Sequence, residues 1–374
     1  MVVLLTVATL LASVLGEVAV IDEAGALVHD TPFALPLLDF SPFMRDEGVV
    51  VDEAPTAAQR ETARELDQVA RAHGFVALTR FGVDRALLQR AWNESAQLFA
   101  LPPERKRALA QISAETNRGY SGLGRESLNR NRAGEPQEAF NVRRAGNNYT
   151  GVPDGFATVA ATLWARLERA ARRYALAAAV ALGLPRDYFH ATLRELDLCT
   201  LRFLHYPPNA TAVTTGAPRE ALRVGEHTDF GLVTFLFLSD GAVGLQLKAV
   251  DGAEIGGAAG GEAGGWRDVA VPPSGGGDDV VAIVNTGALL ARWTNDFWRA
   301  TAHRVIVPDA AAAASPRYSI AAFFDPDSDA EVAVHPRFVR PGEAPRYPPT
   351  TGLAFLLMKL KLSLIHISEP TRPY

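Results

Sequence analysis

Residues 56–72 read TAAQRETARELDQVARA, with apolar positions at Leu66, Val69 and Ala70 and charged positions between them. That spacing predicts an amphipathic helix, capped by Thr56 and stopped by Gly74. FVALTRFGV (75–83) predicts a strand, and a second helix runs from Asp84 to Phe99, ended by LPPE. Residues 157–182 predict a long Ala-rich amphipathic helix closed by Gly183 and Pro185. Upstream, PFALPLLDFSPF (32–43) predicts a short strand and a turn. After Leu193 the texture changes. Short apolar runs separated by Gly, Pro and Asp take over: LCTLRFLHY, LVTFLFL, GLQLKAV, WRDVAV, VVAIVNTG, HRVIVP and RYSIAAFF. Their β-branched and aromatic content and turn-punctuated spacing predict an antiparallel sandwich or jelly roll.

Composition narrows the function classes. The chain has 374 residues and a net charge of −5 from 37 basic and 42 acidic residues, with no long run of one sign. Nucleic-acid binding is therefore not expected. The single Cys199 excludes an intramolecular disulfide framework and any cysteine zinc cluster, so a metal site must use His and carboxylates. The uncharged stretch Val2–Gly16 is shorter than the roughly 20 residues that span a bilayer, so no stable membrane span is expected. Residues 1–16 fit a signal or targeting segment; a misplaced start or a buried strand fits as well. The compartment stays open accordingly, cytoplasmic or secretory. At the other end, LSLIHISEPTRPY (362–374) continues no periodicity and resembles the translation of a sequencing-library adapter. It is read as a scar, and His366 is left out of the site argument. The Gly-rich stretch DGAEIGGAAGGEAGG (251–265) is followed by no helical pattern, which favours a hairpin insertion over a phosphate cradle.

The chemistry centres on GEHTDFGLVTFLF (225–237). In a strand, positions i and i+2 share a face, so His227 and Asp229 are expected to project together from one end of an apolar run. His303 opens another strand, HRVIVP. Two histidines and one carboxylate on separate strands match a facial triad, which leaves open positions on a non-haem Fe(II). Fourteen residues on, Arg317 and Ser319 are again i and i+2 in RYS, a guanidinium fork beside a hydroxyl, suited to a carboxylate. Tyr206, at the end of LRFLHY, can add a further donor. A 2-oxo acid would chelate the iron, dock its far carboxylate on Arg317 and leave one position for O2. Simpler readings stand beside these: a buried His–Asp pair, a strand histidine, and an Arg317 paired with a structural carboxylate such as Asp325. His205 lies in opposite strand phase to Tyr206 and is expected in the core, as are Trp293 and Trp298.

These motifs resemble the isopenicillin N synthase-like branch of the Fe(II)/2-oxoglutarate-dependent dioxygenases, over residues 32–361. The family's HxD…H falls on His227, Asp229 and His303, and its RxS on Arg317 and Ser319. LPLLDFSPF, FALPPERK, RGYSGLGRE and PQEAFNV resemble its N-terminal region. VVAIVNTGALLARWTNDFWRATAHRV, with Asn285, resembles the segment leading into the second histidine, and YPPTTGLAFLLMKLK resembles its closing segment. The resemblance implies an α+β, mainly β fold: a double-stranded β-helix (jelly roll) core with flanking helices. It implies an N-terminal dioxygenase region (32–150), a bridging helical segment (151–192), the jelly-roll core (193–330) and a closing segment (331–361). It further implies Fe(II), with 2-oxoglutarate and O2 as cosubstrates, and hydroxylation or desaturation of a small-molecule substrate. Arg118, Tyr120 and Phe140 are candidates for the substrate mouth on this ground alone. Three departures stand out: Leu204 where the family often has Asn, Phe81 where NHGV has His, and a gap of 76 between His227 and His303. An oxidase that takes no 2-oxo acid and a cupin-like metal hydrolase or binder are the alternatives.

Overall fold

The computed structural model describes residues 20–21, 27–28, 32–45, 53–113, 116–125, 135–208, 221–239, 241–249, 265–274 and 276–364. Residues 1–16, nearly all of the Gly-rich stretch and residues 365–374 lie outside them. Thirteen strands form two facing sheets. We number them β1 (Phe33–Ala34), β2 (Leu37–Asp39), β3 (Phe75–Asp84), β4 (Gly119–Ser121), β5 (Glu138–Val142) and β6 (Thr200–Tyr206). The remainder are β7 (Leu222–His227), β8 (Val233–Leu238), β9 (Leu245–Lys248), β10 (Trp266–Ala270), β11 (Asp279–Thr286), β12 (His303–Ile306) and β13 (Arg317–Phe324). The major sheet has eight strands in the order β2-β3-β11-β8-β13-β6-β5-β4, and the minor sheet has five in the order β1-β10-β9-β12-β7. All neighbours pair antiparallel except β2 with β3 and β1 with β10, which are parallel. This is the jelly-roll arrangement, and all seven runs after Leu193 are strands in it.

The expected helices form with nearly the expected limits. Helix α1 (Ala57–Ala72) starts at Thr56, whose hydroxyl accepts from the Gln59 amide while the Gln59 side chain accepts from the Thr56 amide. Such a reciprocal cap satisfies two donors that a helix start otherwise leaves open. Helix α2 (Arg85–Phe99) is capped by Asp84, which accepts from Leu87 N–H at 2.7 Å. Helix α3 (Phe156–Ala181) runs through the core, with fifteen of its residues buried. All three helices pack on the outer face of the major sheet, whose strands are therefore buried on both faces. That explains their nearly unbroken apolar runs. Phe235, Phe237, Phe203, Val284 and Ile320 face the helices; Phe75, Ala77, Leu204, Ile283 and Ala321 face the minor sheet.

One expectation changes. GEHTDFGLVTFLF is not one strand: β7 ends at His227 in the minor sheet and β8 starts at Val233 in the major one. The i, i+2 strand argument therefore does not hold for Asp229, which lies on the corner where the chain crosses between sheets. Strands β4 and β5 had no clear pattern, because each is short and carries glycine, serine or a buried carboxylate. Phe81 is fully buried against Phe235 and Phe237, with ring centroids 6.1 and 6.0 Å apart, so an apolar ring suits a position that faces the helices. The Gly-rich stretch joins β9 to β10, whose ends meet at Lys248 and Trp266. No helix among the described residues is long and apolar enough to cross a membrane.

Candidate metal and cosubstrate site

His227, the last residue of β7, stands directly opposite His303, the first residue of β12. Their rings lie 4.2 Å apart between centroids, inclined at 53°. Asp229 completes the group from the corner, and one donor atom from each of the three residues falls within 4.8 Å of the others. Asp229 Oδ1 is 3.6 Å from His227 Nε2 and 3.8 Å from His303 Nε2.

Each side chain has its remaining polar atom occupied. His227 Nδ1 lies 2.8 Å from the Gly225 carbonyl and His303 Nδ1 lies 3.2 Å from that of Thr301. A carbonyl can only accept, so Nδ1 carries the proton and Nε2 presents its lone pair to the common centre. Asp229 Oδ2 accepts from Asn285 Nδ2 at 2.7 Å, which leaves Oδ1 facing the imidazoles. Burial is the largest influence on the Asp229 carboxyl and acts to raise it. The two imidazoles, Asn285 and Thr234 together outweigh burial and hold it below the usual carboxylate range. Burial, then the neighbouring His303, pushes His227 down to about 4, so its ring is neutral at neutral pH. Two imidazoles and one carboxylate converging on one point, with no thiolate, suit a divalent first-row metal such as Fe(II).

The corner is held by main-chain bonds. The amides of Ala288 and Leu289 donate to the carbonyls of Asp229 and Phe230 at 2.7 and 2.9 Å, and Leu232 N–H donates to Phe324 O at 2.9 Å. Close approach requires glycine twice. A Cβ on Gly287 would lie 2.1 Å from the Gly231 carbonyl oxygen, and one on Gly231 would lie 2.4 Å from Asp325 Oδ1. Gly287→Ala should therefore cost about 1–3 kcal/mol of stability and shift Asp229. A lowered denaturation midpoint together with weakened metal binding is the expected result.

Asp325 backs this corner and is buried. Burial raises its carboxyl to about 7, with Arg143 opposing and Asp229 adding to the rise. The folded state thus holds this proton more tightly than the unfolded chain. The associated stability is complete below the unfolded value near 4 and is lost as pH rises toward 7, on the order of 4 kcal/mol in all. Asp325→Asn should flatten that decline. The difference between the two melting curves between pH 5 and pH 8 measures it.

Deeper in the barrel, Arg317 opens β13 opposite Tyr206, the last residue of β6. Its guanidinium carbon sits 5.0 Å from the centroid of the Tyr206 ring, and Nη1 is 3.5 Å from Ser319 Oγ. All three side chains are buried, and Arg317 Nε has no hydrogen-bond partner. Asp325 cannot pair with it. It follows the far end of the same strand, eight residues away, or about 26 Å at strand rise. A buried guanidinium without a carboxylate is costly on its own and is suited to an incoming anion.

The remaining sequence candidates separate. His205 faces the helices, stacked between Phe99 and Tyr318 with Nδ1 2.8 Å from Glu138 Oε1. Trp298 donates to Asp67 Oδ1 at 2.9 Å and Trp293 packs on Phe189, so both belong to the core. Tyr120 and Phe140 also face the helices: the Tyr120 hydroxyl bonds Glu138, and Phe140 packs on Phe156. They do not line a substrate mouth. The apolar alternation of β5 was too short to reveal which way they point. Arg118 lies beside Gly146. Thr234, Gly225 and Gly287 had no sequence signal of their own, because their parts are played through main-chain or single hydrogen-bond contacts.

Comparison with known proteins identifies the family. Residues 35–154 match the N-terminal domain model described for a non-haem dioxygenase in morphine synthesis, and residues 198–326 match the 2OG-Fe(II) oxygenase superfamily. A 2-oxoglutarate-dependent dioxygenase, ucsF, from Acremonium sp. is 30% identical over 85% of this chain and 96% of its own length. The 2-oxoglutarate-Fe(II) type oxidoreductase hxnY of Emericella nidulans is 29% identical, covering 86% of this chain and 87% of that protein. Among solved structures, a full-length Neurospora crassa protein in complex with alpha-ketoglutarate superposes with a TM-score of 0.71 at 28% identity, over 92% of this chain and 99% of that one. The chain belongs to the isopenicillin N synthase-like Fe(II)/2-oxoglutarate-dependent dioxygenases, and it is an oxidoreductase that uses Fe(II), 2-oxoglutarate and O2 to oxidise a small molecule.

Proposed function

We propose that His227 Nε2, Asp229 Oδ1 and His303 Nε2 hold the Fe(II), and that Arg317, Ser319 and Tyr206 receive the distal carboxylate of 2-oxoglutarate. The observation that carries this reading is the pairing of two unsatisfied groups in one barrel. Three donor atoms converge with every other polar atom already bonded, and a buried guanidinium lacks an anion. Fe(II) held there supplies the oxygen chemistry that couples decarboxylation of the cosubstrate to oxidation of the substrate. The protein's own residues do the rest. Asn285 and Thr234 fix the Asp229 carboxylate, the Gly225 and Thr301 carbonyls fix the two imidazoles, and Arg317 sets the reach of the cosubstrate. The inward-facing Phe75, whose ring meets His303 edge-on at 5.1 Å, and Leu247 keep water from the metal's surroundings.

Hydroxylation of a compact organic molecule is the proposed outcome, with desaturation as the variant the same site permits. Two relatives support this scale of substrate. One from Petromyces alliaceus is named a proline hydroxylase, and the Neurospora crassa protein has also been solved with thymine. The mixed charge along the chain and its net −5 support a reading without nucleic acid. Oxygen uptake and succinate formation, measured with Fe(II) and with or without 2-oxoglutarate, test the reading. Uptake that depends on 2-oxoglutarate, with one succinate per O2, is expected; uptake without succinate contradicts it.

A further inference from the structure

Arg223, the second residue of β7, is 4% exposed although it carries a full charge. Its Nη2 donates to the main-chain carbonyls of Ala312 and Ser315, the latter at 3.2 Å. Those carbonyls end the short helical turn Ala310–Ala314, and Ser315 lies two residues before Arg317. Arg223 therefore ties the segment that delivers Arg317 to the neighbouring sheet.

The tether leaves a charge to be answered. Arg223 Nε is buried without a hydrogen-bond partner, like Arg317 Nε. The partners of Arg223 Nη2 are neutral main-chain carbonyls rather than a carboxylate. The two positive charges also act on each other: burial, then Arg317, pushes Arg223 down to about 10, which still leaves it protonated at neutral pH. Two like charges in a poorly hydrated region repel, and a bound anion is what relieves them.

We propose that Arg223 is a positioning and specificity residue for the cosubstrate: it anchors the segment carrying Arg317 and adds a second buried positive charge to the same region, so that a 2-oxo acid with a distal carboxylate is preferred to one without. The proposal rests on the cosubstrate reading given above. It differs from that reading in assigning preference to a residue that touches the carbonyls next to Arg317.

The test compares 2-oxoglutarate with pyruvate, a 2-oxo acid lacking the second carboxylate. Affinities are read from the metal-to-ligand absorption band of the Fe(II) protein under anaerobic conditions. Arg223→Gln removes the charge and keeps an amide donor for a carbonyl; Arg223→Met is a second neutral variant should the first not fold. Either should lower the preference for 2-oxoglutarate over pyruvate about tenfold, with pyruvate affinity almost unchanged. Arg223→Lys, which keeps the charge, should retain most of the preference. An unchanged ratio in a folded neutral variant, or equal weakening of both acids, overturns the proposal, because a merely structural role would move both together. A wild-type protein that develops no band with 2-oxoglutarate overturns the cosubstrate reading itself, a result distinct from an unchanged ratio.

Discussion

Oxygen uptake should fall by more than about 100-fold in His303→Ala, and iron should no longer copurify at one equivalent. The imidazole is one of three converging donors, and even residues that only orient metal ligands cost 10- to 100-fold when removed. Asn285→Ala supplies that lesser case. It leaves all three donors present but frees Asp229 Oδ2 from its 2.7 Å bond, so iron affinity should drop by about 10- to 100-fold. Fold is checked by circular dichroism. His303 packs edge-on against Phe75, so a moderate loss of stability is expected alongside the loss of metal. A His303→Ala protein that keeps its iron and near-normal turnover would remove this residue from the proposed triad.

Arg317→Leu should separate cosubstrate binding from metal binding. Hydrogen bonds to charged groups contribute roughly 1.5–3 kcal/mol, so affinity for 2-oxoglutarate should fall about 10- to 150-fold. Iron content should hardly change, because the guanidinium lies at the Tyr206 end of the barrel, where β13 begins opposite the end of β6. Saturating 2-oxoglutarate should recover part of the turnover. Pyruvate should lose most of its disadvantage, since only Ser319, Tyr206 and the Arg223 charge are left to favour a second carboxylate. Removing the buried, unpaired charge should also leave the ligand-free protein no less stable than the wild type.

Much of this architecture was legible in the chain because both faces of the major sheet are buried. Runs such as VVAIVNT and RYSIAAFF announce strands with little ambiguity. Helices α1 and α2 were legible through Thr56 and Asp84, whose side chains have a local use at a helix start. The corner between β7 and β8 was not. Its residues, Thr228 to Leu232, include the turn formers Asp229 and Gly231, but what ends β7 is a change of hydrogen-bond partners from the minor sheet to the major one. That partnering is non-local. The same holds for Gly287, whose need for a missing side chain comes from the Gly231 carbonyl more than fifty residues away.

The candidate site divides along the same line. His227, Asp229, His303, Arg317 and Ser319 carry chemistry that few structural roles demand, so their spacing was informative. Tyr120 and Phe140 are aromatic residues on a five-residue strand and its neighbour, and residue type alone does not tell which face they take. The structure turns both toward the helices. Arg223 was invisible for a different reason. A single arginine in LRVGEH reads as a surface residue until its burial and its carbonyl partners are seen.

The most direct measurement is an anaerobic titration of the Fe(II)-loaded protein with 2-oxoglutarate, followed by the metal-to-ligand absorption band in wild type and in Asp229→Ala. A saturable band at one equivalent is expected in the wild type and none in the variant. Iron bound by the wild type without a band, or a band of equal strength in Asp229→Ala, would contradict the proposed site.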